Sequence, residues 1–77
     1  MTSVRADLAD PRAYVRLAAV VRKQIADGTL TPGQSTPSIT RLSKEYGHAL
    51  PTCGKALRML EGEGLVTRIP GLGYYVN

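Results

Sequence analysis

Few residues in this chain have side chains suited to chemistry beyond charge and hydrogen bonding. Its 77 residues include one histidine, His48, and one cysteine, Cys53. A zinc site needs several His, Cys or carboxylate donors at fixed spacing, and His48 stands alone in a turn, so a turn residue is the better reading than a ligand or proton switch. Cys53 lies on an apolar helical stripe, where a free cysteine packs like a small hydrophobe. A single cysteine excludes an intrachain disulfide. The Gly71 and Gly73 pair resembles a phosphate loop only superficially, because such loops open a helix and this one is followed by a strand-like segment. No Ser/His/Asp set or paired carboxylates stand in plausible proximity. The expectation is no enzyme, no cofactor and no metal.

Charge is what remains. Ten Lys and Arg against six Asp and Glu give +4, with a sequence pI near 9.6. That balance favours a polyanionic partner. A chain of this length hides only about 60% of its unfolded surface, which suits a recognition module better than an enzyme cleft with supporting layers. The longest early apolar run, LAAVV at 17–21, is far short of a membrane span. No charged-then-apolar leader precedes it, so the expected setting is cytoplasmic, without a membrane partner.

The elements that must position these charges are legible from period and punctuation. Residues 1–10 carry no period and read as a flexible arm, and residues 11–77 as one domain. Asp10-Pro11 reads as an acidic cap followed by proline at the first helical position. Tyr14, Leu17, Ala18, Val21 and Ile25 recur at helical spacing, and Gly28 closes this first helix, about residues 11–27. The LTPG run ends with Pro32-Gly33 and admits no helix. Ser38 caps a second, short helix that turns Ile39, Leu42 and Tyr46 inward and ends at Gly47. Pro51 opens a third, about residues 50–63, with Cys53, Ala56, Leu57 and Leu60 as its buried stripe. Two short helices across a tight link form a helix-turn-helix pattern. A strand-like run to Ile69, a PGLG turn and Tyr74-Tyr75-Val76 complete a two-stranded ribbon. The fold class is mainly α with a small β wing: a winged helix-turn-helix of three helices plus a C-terminal β-hairpin.

These residues resemble the N-terminal domain of the GntR family of bacterial transcription regulators. The matching segments are GTLTPGQSTPS (28–38), LSKEYG (42–47), KALRMLEGEGLV (55–66) and PGLGYYV (70–76), in the family's order from about Tyr14 to the end. The resemblance implies a sequence-specific regulator, a repressor acting by occupying a promoter. Its third helix would enter the major groove of double-stranded DNA, and its wing, about residues 70–74, would reach the neighbouring minor groove or backbone. It also implies a homodimer on a palindromic operator. The larger effector domain usual in the family is expected to be absent from this chain, which is read either as a standalone regulator or as a domain of a longer protein.

The expected DNA-binding residues are Ser38, Thr40 and Arg41 around the second helix, Leu50, Pro51, Thr52, Lys55 and Arg58 on the third, and Arg68, Gly71, Leu72 and Gly73 in the wing. Thr52, Lys55 and Met59 are expected to project away from the core. Thr52 lies in the first turn, where recognition helices meet bases and phosphates, and Lys55 is favoured for phosphate. A redox role for Cys53 stays open because it lies in the same helix. Of the two wing tyrosines, the family pattern suggests that Tyr75 packs and Tyr74 stays exposed. Departures are as informative. Leu50 and Gly54 stand where the family commonly has Arg near the start of the third helix, Thr40 where it has Arg in the second, and Leu72 at a frequently basic wing tip. Arginine reads guanine bidentately, so weaker affinity, an unusual operator or reliance on a partner is expected. Gly54 is either a place of close approach or drift. The exposed apolar Leu50, Met59 and Leu72 keep open a second reading, a winged helix used as a protein-interaction module.

Overall fold

A computed structural model describes residues 11–77. The expected arm and the Asp10 cap lie outside the described residues. Three helices come first, α1 (Pro11–Ala26), α2 (Ile39–Tyr46) and α3 (Leu50–Gly62), followed by β1 (Val66–Ile69) and β2 (Gly73–Val76). Helix α3 is the hub, packing against α1, α2 and β1. Its stripe of Cys53, Ala56, Leu57 and Leu60 meets Leu17, Ala18 and Val21 of α1, Leu42 of α2, and Val66, Tyr74 and Val76 of the hairpin in one core.

Local chemistry explains the boundaries. Asp27 accepts from the amide and hydroxyl of Thr29 at 2.9 and 2.7 Å, which turns the chain just past α1. The Ser38 hydroxyl accepts from the Arg41 amide at 3.0 Å, an N-cap that satisfies one of the free donors of α2. At the other end Gly47 takes φ 73 and its amide bonds the Ser43 carbonyl, a left-handed closure that a side chain would strain. Helix α3 has no side-chain cap, but proline in its first turn removes an N–H that would otherwise lack a partner. Its C-terminus closes with Leu65 N to Leu60 O and Gly64 N to Glu61 O, at 3.1 and 3.0 Å, the paired bonds of a Schellman motif.

The hairpin pairs Val66 with Val76 and Arg68 with Tyr74. Its turn places Pro70 and Gly71 centrally, with Leu72 N bonded to Ile69 O at 2.9 Å. Gly71 adopts the positive φ of 81° that the third residue of a type II turn requires. One strand-like feature is not evident in the sequence. Residues 33–36 run along the free edge of β2, with Gly33 N to Val76 O, Val76 N to Gln34 O and Thr36 N to Tyr74 O at 2.8–2.9 Å. The wing is thus tied to the linker that leads into α2, and β2 is paired on both sides.

Several packing expectations change. Tyr46 does not turn inward: it is 40% exposed, and Leu42 is the buried residue of α2. Met59 does not project into solvent but lies partly buried against the core. The tyrosines exchange roles. Tyr74 is 8% exposed and Tyr75 only partly covered, because alternate strand residues share a face and Val76 faces the core.

Candidate nucleic-acid interface

Two surfaces carry the residues singled out from the sequence. The first is an open groove between the start of α2 and the wing. Ser38 and Arg41 line one side, and Arg68, Gly71, Leu72 and Gly73 the other, with residues 35–37 and Leu57 between. Arg68 reaches this groove because it pairs with Tyr74 on the inner face of the hairpin. Arg41 and Arg68 are both exposed, so two guanidinium groups flank a channel that also offers hydroxyls. Arg41 is only loosely held, 3.8 Å from Glu45 one turn on, and exposed pairs of that kind contribute little. At the wing tip Leu72 is 69% exposed.

The second surface is the outer face of α3, and Thr40 is exposed on α2. Leu50 is 52% exposed, and Pro51, Lys55 and Arg58 are exposed as well. Thr52 is not on this face. It is 8% exposed, since it lies four residues before Ala56 and therefore on the same buried side. The residue is therefore buried and does not project away from the core as expected. Lys55 is exposed but not idle: its ammonium sits 4.5 Å from the centroid of the Tyr14 ring on α1, a cation–π contact. Arg58 lies over Gly54, with Nη1 3.5 Å from where a Gly54 Cβ would stand. Gly54 itself is buried.

The link between α2 and α3 is fixed from both sides. The Ser43 hydroxyl donates to the His48 carbonyl at 2.6 Å, and the buried Cys53 thiol approaches the same oxygen at 4.0 Å. Cys53 therefore sits in the core beside the link. On the far side, Arg22 of α1 grips Glu63 beyond α3 with two bonds of 2.9 and 2.6 Å. That arrangement holds the Glu63 carboxyl below its usual range, chiefly through the hydrogen bonds. Sequence reasoning missed Tyr14 and Glu63 as partners because each contact spans about 40 residues, beyond any local period. Among the described residues, no group of three or more His, Cys, Asp and Glu side chains could hold a metal ion, and no helix is long and apolar enough to cross a membrane.

The sequence and the fold are similar to those of known proteins. The repressor MngR of the Escherichia coli K12 mannosyl-D-glycerate transport and metabolism system is 38% identical over 64 residues, covering 83% of this chain and 27% of its own. The histidine utilization repressor of Pseudomonas putida is 35% identical over 63 residues, 82% of this chain and 25% of its own. The chain thus spans about a quarter of these relatives. Among solved structures, the DNA-binding domain of AraR in complex with operator ORX1 superposes with a TM-score of 0.80 at 26% identity, over 83% of this chain and 77% of that one. YtrA from Sulfolobus acidocaldarius, a GntR-family transcription factor, gives 0.77 at 32%, over 84% and 68%. The family model for bacterial regulatory proteins of the gntR family matches residues 13–76, nearly the whole described chain. The chain belongs to the gntR family of bacterial regulatory proteins.

Proposed function

We propose that this chain binds operator DNA as the recognition domain of a cytoplasmic transcriptional repressor and has no catalytic role. One observation carries the reading. Its helix pair and wing superpose on the AraR domain in complex with an operator, and the exposed cations lie on the matching elements. Helix α3 lies in the major groove, and the tip at residues 71–73 meets the adjacent minor groove or backbone. Arg41, Arg58 and Arg68 contact phosphates, and Lys55 adds a fourth contact when its ammonium leaves Tyr14. Ser38, Thr40, Leu50 and Pro51 face the duplex beside them. Phosphate contacts set register and affinity, and the exposed end of α3 faces base edges. A single chain covers one half-site. Two chains on a palindrome would occupy half-sites about 10 base pairs apart or a multiple of that. The repressor names of the relatives support repression over activation.

Salt titration of binding to operator fragments selected from genomic DNA tests this. Four neutralised phosphates give a slope of log affinity against log salt near about −3.6. Absence of binding to every duplex at low salt would overturn the proposal.

A further inference from the structure

The leading end of α3 is hydrocarbon. Its N-cap is Ala49, its first residue Leu50 and its second Pro51, and none of these side chains carries a donor or acceptor. Leu50 is the most exposed large hydrophobic residue on the helices, at 52%. One turn on, Gly54 has no side chain and is buried, with Arg58 lying over it, and the first exposed donor along this face is Lys55, whose ammonium lies over the Tyr14 ring. Exposed cations stand elsewhere on the helix pair, Arg58 eight residues further along α3 and Arg41 near the start of α2.

A hydrocarbon tip suits a base edge that is itself hydrocarbon. In the major groove guanine offers two acceptors, cytosine a donor, and adenine one of each, while thymine alone presents a methyl group. Pressing Leu50 against any of the first three strips water from a polar group and returns no hydrogen bond. Pressing it against thymine buries apolar surface on both sides. Resting on the DNA-binding reading above, we propose that Leu50 is a specificity residue that selects thymine by its C5-methyl group in the base pair under the first turn of α3. The operator half-site then carries an A·T pair at that position, read without a bidentate contact.

The experiment uses the full 77-residue chain. Bound duplexes are selected from a random pool with the wild type, Leu50→Ala and Leu50→Arg, with circular dichroism confirming that each variant is folded. Thymines of the selected half-site are then replaced one at a time by uracil, which removes only the methyl. Wild type is expected to lose about fourfold in affinity at one position, the worth of one buried methyl-sized group. Leu50→Ala should lose markedly less there, and Leu50→Arg should shift selection toward guanine. Uracil tolerated at every position, or costing wild type and Leu50→Ala equally, overturns this inference while leaving DNA binding intact. Failure to select any duplex overturns the DNA-binding reading and this inference together.

Discussion

Replacing Gly54 by alanine separates two roles that a glycine in a recognition helix can have. The residue lies inside α3, where glycine costs about 1 kcal/mol relative to alanine because of its backbone freedom. It is not among the glycines with positive φ, so alanine meets no conformational penalty. An added Cβ would stand 3.5 Å from Arg58 Nη1 and 3.5 Å from Ile39 Cδ1, ordinary contact on both sides. The steric cost is therefore small, and the propensity gain should appear almost whole. We expect Gly54→Ala to stabilise the domain by about 1 kcal/mol, raising Tm by about 4–8 °C at this chain length. Urea unfolding followed by circular dichroism gives the midpoint, with an unchanged m-value showing that the shift is in stability. Because Arg58 and Ile39 already cover Gly54, DNA affinity should not change. A lower midpoint would refute the packing argument. A higher midpoint with a sharp loss of affinity would refute the claim that the backbone there is already covered, and would make Gly54 a place of close approach.

Three further outcomes are expected. Ser38→Ala should destabilise by about 1 kcal/mol through the lost cap of α2; Ser38→Asp should keep the cap yet weaken DNA binding by repelling phosphate, and equal affinity would remove Ser38 from the interface. The depressed pKa of Glu63, caused first by its hydrogen bond from Arg22, makes the pair stabilising above the ordinary glutamate range. That contribution fades as pH falls through the lowered folded value. Urea midpoints of wild type and Glu63→Gln should therefore converge in acid, and a constant offset at all pH values would show that the pair is not the cause. Tyr14→Leu and Lys55→Met should show a coupling of about 0.5–1 kcal/mol in a double-mutant cycle, the size of an exposed cation–π contact; additive effects would mean the 4.5 Å approach carries no energy.

The order of elements was legible because each boundary has a local cause. Ser38, Gly47 and Pro51 act within one turn of where they stand, so their effect is written in a few adjacent letters. The errors arose where a face had to be assigned. Helix α2 has eight residues, barely two turns, too few for a period to distinguish Tyr46 from Leu42 as the buried position. Thr52 could have been placed correctly, since its spacing from Ala56 is the same four residues that define the buried stripe. Tyr74 likewise shares Val76's face two residues away, and that parity outranks a family pattern. The edge pairing of residues 33–36 left no signal, because Gly-Gln-Ser-Thr contains no apolar alternation and its bonds are all backbone. Of the candidate site, charge and position were legible. The engagement of Lys55 with Tyr14 and of Arg58 with Gly54 was not, because both depend on how helices meet or side chains fold.

Helix α3 also explains why recognition can vary while the fold does not. Thr52, Cys53, Gly54, Ala56, Leu57 and Leu60, nearly half of its residues, are buried, and four of them, Cys53, Ala56, Leu57 and Leu60, belong to the hydrophobic core. A substitution on that side acts on stability and on helix placement at once. Leu50 escapes this coupling. It sits at the first helical residue, ahead of the stripe, with about half its surface in solvent. Packing imposes little on such a position, and the physical rule that remains is complementarity with whatever lies opposite. Apolar side chains at 50, the first residue of α3, and at 72, in the hairpin turn, are therefore informative about the partner, whereas the apolar residues at 57 and 60 are informative only about the core. A substitution at an exposed end therefore changes DNA binding with the fold held constant.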